Sequence, residues 1–401
     1  MSYPDGMMRV MRQVRFTYRL RVSAPAGRAL LCEWGRCRWV WNECVAESRR
    51  AWKDKRECGP AGLDKMLTGW RAERGWLREG SSVAQKQTIR DFGRSRAKAL
   101  KDIKDKLPVR QRAGLPKFRK RDRCLPTMNY TKQGFALRDG LLTVAGGISL
   151  RVVWSRPLPS APTSVRVYQD ALGHWYASFV VMAEEEPYPE PGQAVGVDWG
   201  VKDIAVTTSD AHDLPRPQYG KKSAEKLAKY QRQMARRKPR PGQKPSAGYQ
   251  RAKRKAAKTH AKVAAQRQDT ARKWAKGVVR DFGQLAVENF RPKFLAKTTM
   301  ARKAADAATG AAKRGLIEMA AKHGRAVHLV NPAHTTMDCA NCGARAKHRL
   351  PLSERTYTCT ACGAVSPRDK NSAAVMLARA GLSPDGADRV RPAAPPGRQA
   401  A

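Results

Sequence analysis

Cys339-Ala340-Asn341-Cys342-Gly343 and Cys359-Thr360-Ala361-Cys362-Gly363, with sixteen residues between the cysteine pairs, decide how this chain is read. A CxxC turn closed by glycine points backbone N–H groups at the thiolates, and glycine accepts the positive φ that such a turn needs. Two such turns supply four soft ligands, the tetrahedral set that Zn2+ takes in closed structural sites. The expectation is one structural Zn2+ on Cys339, Cys342, Cys359 and Cys362. His334 and His348 flank them, but four thiolates already fill the site, so both read as surface residues. The remaining cysteines (Cys32, Cys37, Cys44, Cys58, Cys124) follow no spacing pattern and read as reduced thiols of a cytosolic protein.

Just beyond the second pair, Pro367-Arg368-Asp369-Lys370-Asn371 opens an apolar helix that runs to about Ala380 and stops at Gly381. Asp369 is one of three carboxylates at element ends. Ala194-Val195-Gly196-Val197-Asp198 reads as a strand with Val195 and Val197 on one face, and Gly196 and Asp198 on the other. Glu288 lies in a second apolar strand, Leu285–Phe290. Hard carboxylate oxygens at strand ends suit Mg2+, and two ions ~3.5–4 Å apart activate a water and stabilise a leaving phosphodiester oxygen. Each acid also has a plainer role: Asp198 opens a turn before Gly200, and Glu288 is an exposed strand-end charge. Asp369 would serve the helix dipole, with Ser366 as N-cap and Pro367 at the first helical position.

The 401 residues carry 79 Lys+Arg against 34 Asp+Glu, a net charge of +45, and a surface this positive condenses on polyanions. The densest stretch, 220–262, holds sixteen Lys/Arg and one acid, Glu225, and reads as two basic helices around a loop. Arg236, Arg237, Arg251 and Arg254 are its candidate phosphate contacts. No apolar run approaches the ~20 residues of a membrane span, and no signal-peptide core opens the chain. A cytoplasmic, nucleoid-associated protein is expected.

Towards the N-terminus, Val14, Phe16, Tyr18, Leu20 and Val22 alternate with polar residues as in a half-buried strand. Leu30, Leu31, Trp34, Cys37, Trp41, Val45 and Trp52 then fall at helical spacing over Arg28–Trp52. A second helix is expected from Ser82, as N-cap, to Leu107, with Ile89, Phe92, Leu100 and Ile103 inward and Lys86, Gln87, Arg90, Arg94 and Lys101 outward. Five strands follow over 135–181, and the proline-rich 184–191 reads as a linker. In the second half, Ala301–His323 reads as one helix, Val327–Val330 as a strand, and the Pro/Ala/Arg/Gly tail as disordered.

Gly196-Val197-Asp198-Trp199-Gly200, Val287-Glu288-Asn289-Phe290 and Arg368-Asp369-Lys370-Asn371-Ser372-Ala373-Ala374 resemble the three motifs of a RuvC nuclease. With two CxxC pairs between the second and third, the chain resembles the TnpB family of insertion sequences, relatives of the miniature type V CRISPR effectors. Arg36–Asn42, Gln85–Phe92, Leu115–Lys120 and Gly173–Tyr176 are similar to its N-terminal markers, so the resemblance covers nearly the whole chain. Pro367 stands where many members carry another acid, and His334-Thr335-Thr336 replaces an aromatic-Thr-Ser.

The resemblance implies an α+β, α/β multidomain fold. An N-terminal β-barrel (1–25 and 108–190) takes a helical recognition insertion (26–107). An RNase H-like RuvC domain (191–333 and 367–382) takes a zinc ribbon (334–366), and a tail (383–401) follows. It also implies an RNA-guided DNA endonuclease of a transposable element, with Asp198, Glu288 and Asp369 as catalytic acids holding two Mg2+. A guide RNA and a double-stranded DNA target with a short adjacent motif would be its partners, with Lys86, Gln87 and Arg90 among the nucleic-acid contacts. The rival readings are an RNA-guided repressor that does not cut, a transposition accessory DNA-binding protein, an acidic-triad transposase and a zinc-ribbon transcription factor. Monomer and dimer stay equally open.

Overall fold

The computed structural model describes residues 11–109, 111–184, 188, 192–290, 295, 298–348, 350–351 and 353–383. Most of the expected linker, 184–191, and nearly all of the expected tail lie outside them. The chain divides into two compact units, 1–184 and 185–401.

In the first unit, β1 (Met11–Arg21) is followed by α1 (Ala24–Lys53), α2 (Pro60–Glu73), α3 (Gly75–Arg78) and α4 (Ser82–Lys104). Six strands complete it: β2 (Thr127–Thr131), β3 (Phe135–Arg138), β4 (Leu141–Val144), β5 (Ile148–Val153), β6 (Ser164–Gln169) and β7 (Trp175–Glu184). They form one sheet in the order β2-β6-β7-β1-β5-β4-β3. The two edge strands, β2 and β3, are consecutive in the chain and joined by the short turn Lys132–Gly134, so the sheet curls until its edges nearly meet. Tyr18, Leu20, Tyr130, Leu142, Leu150, Val167 and Phe179 fill the inside, the buried half of each alternation.

The first helix serves two cores. Its Leu30, Trp34 and Cys37 pack into the sheet's interior, whereas Val40, Trp41, Cys44 and Val45 pack with Leu63, Leu67, Leu77, Ile89 and Phe92 of the other helices. Its start is capped by Ser23, whose side chain accepts from the Ala26 N–H. Several expectations need correction. Leu31 and Leu100 stay 43% and 41% exposed because Leu30 and Ala99 beside them take the buried face, and Trp52 and Ile103, at the helix ends, stay 80% and 44% exposed. The cap of α4 is Ser81 rather than Ser82, and the helix stops at Lys104.

In the second unit β8 (Ala194–Trp199), β9 (Asp203–Thr207) and the short β10 (Leu214–Pro215) precede α5 (Tyr219–Lys222), α6 (Ala224–Arg236) and α7 (Ala247–Asp281). Then come β11 (Gln284–Glu288), α8 (Ala301–Ala307), α9 (Thr309–Lys322), β12 (Ala326–Val330), β13 (Thr356–Thr358), β14 (Val365–Pro367) and α10 (Arg368–Arg379). The sheet order is β10-β9-β8-β11-β12; β11 runs parallel to both of its neighbours and β9 antiparallel to β8. Val195, Val197, Leu285 and Val287 point to one face, where Ala275, Val278 and Val279 of α7 and Leu316 and Ala320 of α9 cover them. Ala194, Ala286 and Val330 meet Met376 and Leu377 of α10 on the other. The helix expected over 301–323 is broken at Ala308, which takes φ 54° and separates α8 from α9.

Candidate active site and metal centre

Register brings the first two acids together. Val197 pairs with Val287 in the parallel ladder, so Asp198 and Glu288, one step further on, stand side by side at the same end of the sheet. The third comes from α10, which lies close over β8 at Gly196. A side chain there would collide with the carbonyl of Ala373, so the missing Cβ is what lets α10 lie this close, with Asp369 in its first turn.

The electrostatics are those of crowded carboxylates. Burial pushes the Asp198 carboxyl well above its usual range, and the charges of Glu288 and Asp369 raise it further, with Arg368 opposing. Burial likewise pushes Glu288 up to about 7, against the pull of the Trp199 N–H and of Lys313. Glu288 is buried and oriented: its Oε2 accepts from the Trp199 N–H at 3.1 Å, while its carbonyl accepts from the Trp199 ring N–H at 3.2 Å and from Lys313 Nζ at 3.0 Å. The plainer roles of Asp198 and Glu288 fall away, while Asp369 stays in the first turn of α10, where it still suits the helix dipole. Asp198 lies within the strand rather than in the turn after it, and Glu288 is not an exposed charge. Ser366 belongs to β14, Pro367 is the N-cap residue, and no side chain caps α10.

The cysteine cluster is preformed. The four Sγ atoms lie within 4.8 Å of one another, with Cys339–Cys362 at 3.8 Å and Cys342–Cys359 at 3.7 Å. Zn–S bonds of about 2.3 Å in a tetrahedron set sulfurs about 3.8 Å apart, so these residues fit that ion. Each turn is closed identically, Gly343 N to Cys339 O at 3.0 Å and Gly363 N to Cys359 O at 2.9 Å, with both glycines at positive φ. The backbone N–H groups of Cys362 and Ala361 draw the Cys359 thiol down to about 6, favouring the ligating thiolate. His334 and His348 are exposed and outside the cluster. Among the described residues no other three or more His, Cys, Asp or Glu gather this tightly, so the three acids meet through their fields rather than at one point.

The basic candidates fall on open surface. Arg236 and Arg237 end α6 and Arg251 and Arg254 open α7, all exposed; Lys86 and Arg90 are exposed on α4, and Gln87 is half-buried and donates to Asp91. Gln85, in the stretch resembling a recognition helix, is fully buried and accepts from Arg71 Nη1 at 2.7 Å. Sequence reasoning missed Lys313, whose helix gave no sign of its target, and missed the work of Arg368, Lys370 and Asn371 beside Asp369. Lys370 Nζ reaches Thr207 O at 2.8 Å, Asp210 at 2.6 Å and Asp213 at 2.9 Å, tying α10 to the turn after β9.

A curled sheet packed with helices in one unit, and an acid-bearing sheet with a four-cysteine cluster in the other, define the class: a basic α+β protein of two compact units. Residues 178–298 match the family model described as a probable transposase, and 311–376 the one described as a Cas12f1-like TNB domain. A putative RNA-guided DNA endonuclease of Streptomyces pristinaespiralis is 31% identical over 394 residues, covering 96% of this chain and 94% of its own. The putative RNA-guided DNA endonuclease InsQ of Escherichia coli K12 is 28% identical over 368 residues, covering 86% of each. A Cas12f1 chain solved with sgRNA and target DNA shares the fold at TM-score 0.56 and 11% identity, over 92% of this chain and 98% of that one. The chain belongs to the TnpB family.

Proposed function

We propose that the protein is an RNA-guided DNA endonuclease of a transposable element, with Asp198, Glu288 and Asp369 as its catalytic acids. The observation that carries this reading is the convergence of three carboxylates, ninety or so positions apart in the chain, in which the charges of Glu288 and Asp369 raise the affinity of buried Asp198 for protons inside a chain of net charge +45. Crowded carboxylate oxygens around a buried Asp198 are a set that divalent cations neutralise. When bound, Mg2+ would supply an activated water and charge stabilisation at a phosphodiester. The protein's own part is orientation: Trp199 fixes Glu288, α10 presents Asp369, and the exposed arginines of α6 and α7 hold phosphates.

Zn2+ in the cysteine cluster has a structural part in this reading, and elemental analysis should find one per chain. Guide pairing would read the target while the protein holds the heteroduplex by shape. The names of the two relatives support the guide RNA and the DNA target as partners. The finer division into barrel, recognition insertion, RuvC-like domain and ribbon belongs to the same proposal. Among the described residues no helix is long and apolar enough to cross a membrane.

The test is Asp369→Asn in guide-loaded protein. Loss of a metal ligand removes several kcal/mol of transition-state stabilisation, so cleavage should fall about 1000-fold or more while DNA binding holds. Near-normal cleavage would remove Asp369 from the centre and the reading with it.

A further inference from the structure

The first turn of α10 is gripped by the cysteine ribbon on both sides of Asp369. Arg368 is buried; its backbone N–H donates to Arg355 O at 2.7 Å and its Nη1 to Pro351 O at 2.8 Å, in the loop before β13. Asn371 is buried and commits both ends of its amide to the first cysteine turn. Its Oδ1 accepts from Ala340 N at 3.0 Å, inside the Cys339–Cys342 turn, and its Nδ2 donates to Asp338 O at 2.8 Å. Further down the helix, Arg379 reaches the Asp338 carboxylate and donates to Asn331 O at 2.9 Å and Ala333 O at 2.7 Å. Every ribbon partner of Arg368 and Asn371 is a backbone atom, so both ties depend on the path of the ribbon chain rather than on any one of its side chains.

Beyond the ion pairs of Asp338 with Arg345 and Arg379 and the Tyr357 hydroxyl on Met337 O, that path has little else to fix it. The ribbon's apolar core is small: Cys339, Tyr357 and Cys359, with Ala344, Leu350 and Ala364 packed against them. A module this size holds one conformation only with a metal or another crosslink. Releasing the metal would let Ala340 N and Asp338 O drift, leaving a buried amide at Asn371 without its partners.

We propose that Arg368 and Asn371 are positioning residues that make the cysteine site part of the acid centre: metal in the ribbon sets where Asp369 stands. The proposal rests on the acid-centre reading for its consequence in catalysis but not for the mechanical coupling itself.

The test uses full-length protein, with Mn2+ as the probe of the acids by electron paramagnetic resonance. Asn371→Ala should keep its zinc, bind Mn2+ about tenfold more weakly and lower kcat about tenfold, with KM for target DNA within about twofold. Should that variant fold poorly, zinc is stripped instead from wild-type protein with a chelator that ignores Mg2+, and hydrogen exchange is followed at residues 368–372. Faster exchange and weaker Mn2+ binding, both reversed by restoring zinc, support the coupling. Unchanged exchange at those residues in zinc-free protein overturns it. Mn2+ that fails to bind zinc-loaded wild type would sink the acid-centre reading alone, and the exchange measurement would still decide the coupling.

Discussion

Glu288 carries a proton that its unfolded counterpart would have released. Its carboxyl sits at about 7 in the folded protein against a reference of 4.5, so in metal-free protein the native state binds more protons between those values. Stability from this group is therefore present below about 4.5 and is lost as pH rises towards about 7. Metal-free wild type should melt at a lower temperature at pH 7.5 than at pH 6, and Glu288→Gln should flatten that difference; equal slopes in both would show that burial does not govern Glu288. Because protons and cations compete for the same oxygens, Mg2+ affinity should also rise across this window. The placing of the three acids was legible in the sequence, since Asp198 and Glu288 come at the ends of apolar runs and Asp369 opens one. Their neighbours were not: Lys313 reaches the Glu288 carbonyl, and Gln85 is held inside by Arg71, only through tertiary packing that no local pattern announces.

Elements were readable where a repeating pattern met a partner. The alternation of β1, the strands β4 and β5 and both ends of α10 follow from side-chain type. The break at Ala308 does not, because alanine is the best helix former, and Thr309 and Gly310 after it only weaken the helix without stopping it. Tertiary context wins: Thr309 is buried and its hydroxyl donates to Gly200 O at 3.3 Å, anchoring the start of α9 to the turn after β8. Ala308 bears the left-handed backbone this requires, which costs a residue with a Cβ about 1 kcal/mol that glycine would not bear. Ala308→Gly should leave activity alone and raise stability by a few tenths to about 1 kcal/mol in chemical denaturation; destabilisation would mean that the continuous helix is the true ground state. The strand β2 was missed for the opposite reason. Met128 and Tyr130 do alternate inward, but they follow a basic loop and make too short a pattern to separate from it.

Across the whole chain, charge is distributed by element rather than spread evenly. None of the described residues of α6 is buried, and α7 buries only alanines and valines over most of its length; Arg267 is tied to Asp306 at 2.7 Å, but Arg236, Arg237, Arg251 and Arg254 are exposed. Reversing Arg236, Arg237, Arg251 and Arg254 to glutamate should therefore leave the melting temperature nearly unchanged. Nucleic-acid binding should weaken, and the slope of log K against log salt should become shallower by up to about 3–4, near one per lost phosphate contact. An unchanged slope would make them a solvated face. The seven-stranded sheet has a consequence of another kind, for synthesis on the ribosome. Its central strand, β1, is made first, yet Leu20 waits for Val152 and Trp175, and Met11 for Glu184. The strand that precedes the helices α1–α4 can pair with β5 only at Arg19–Arg21, and the rest of its length waits for β7, the last strand of its unit. Translation that stalls before residue 184 thus yields a nascent chain with an unpaired, tyrosine-bearing edge, open to chaperones and to self-association alike.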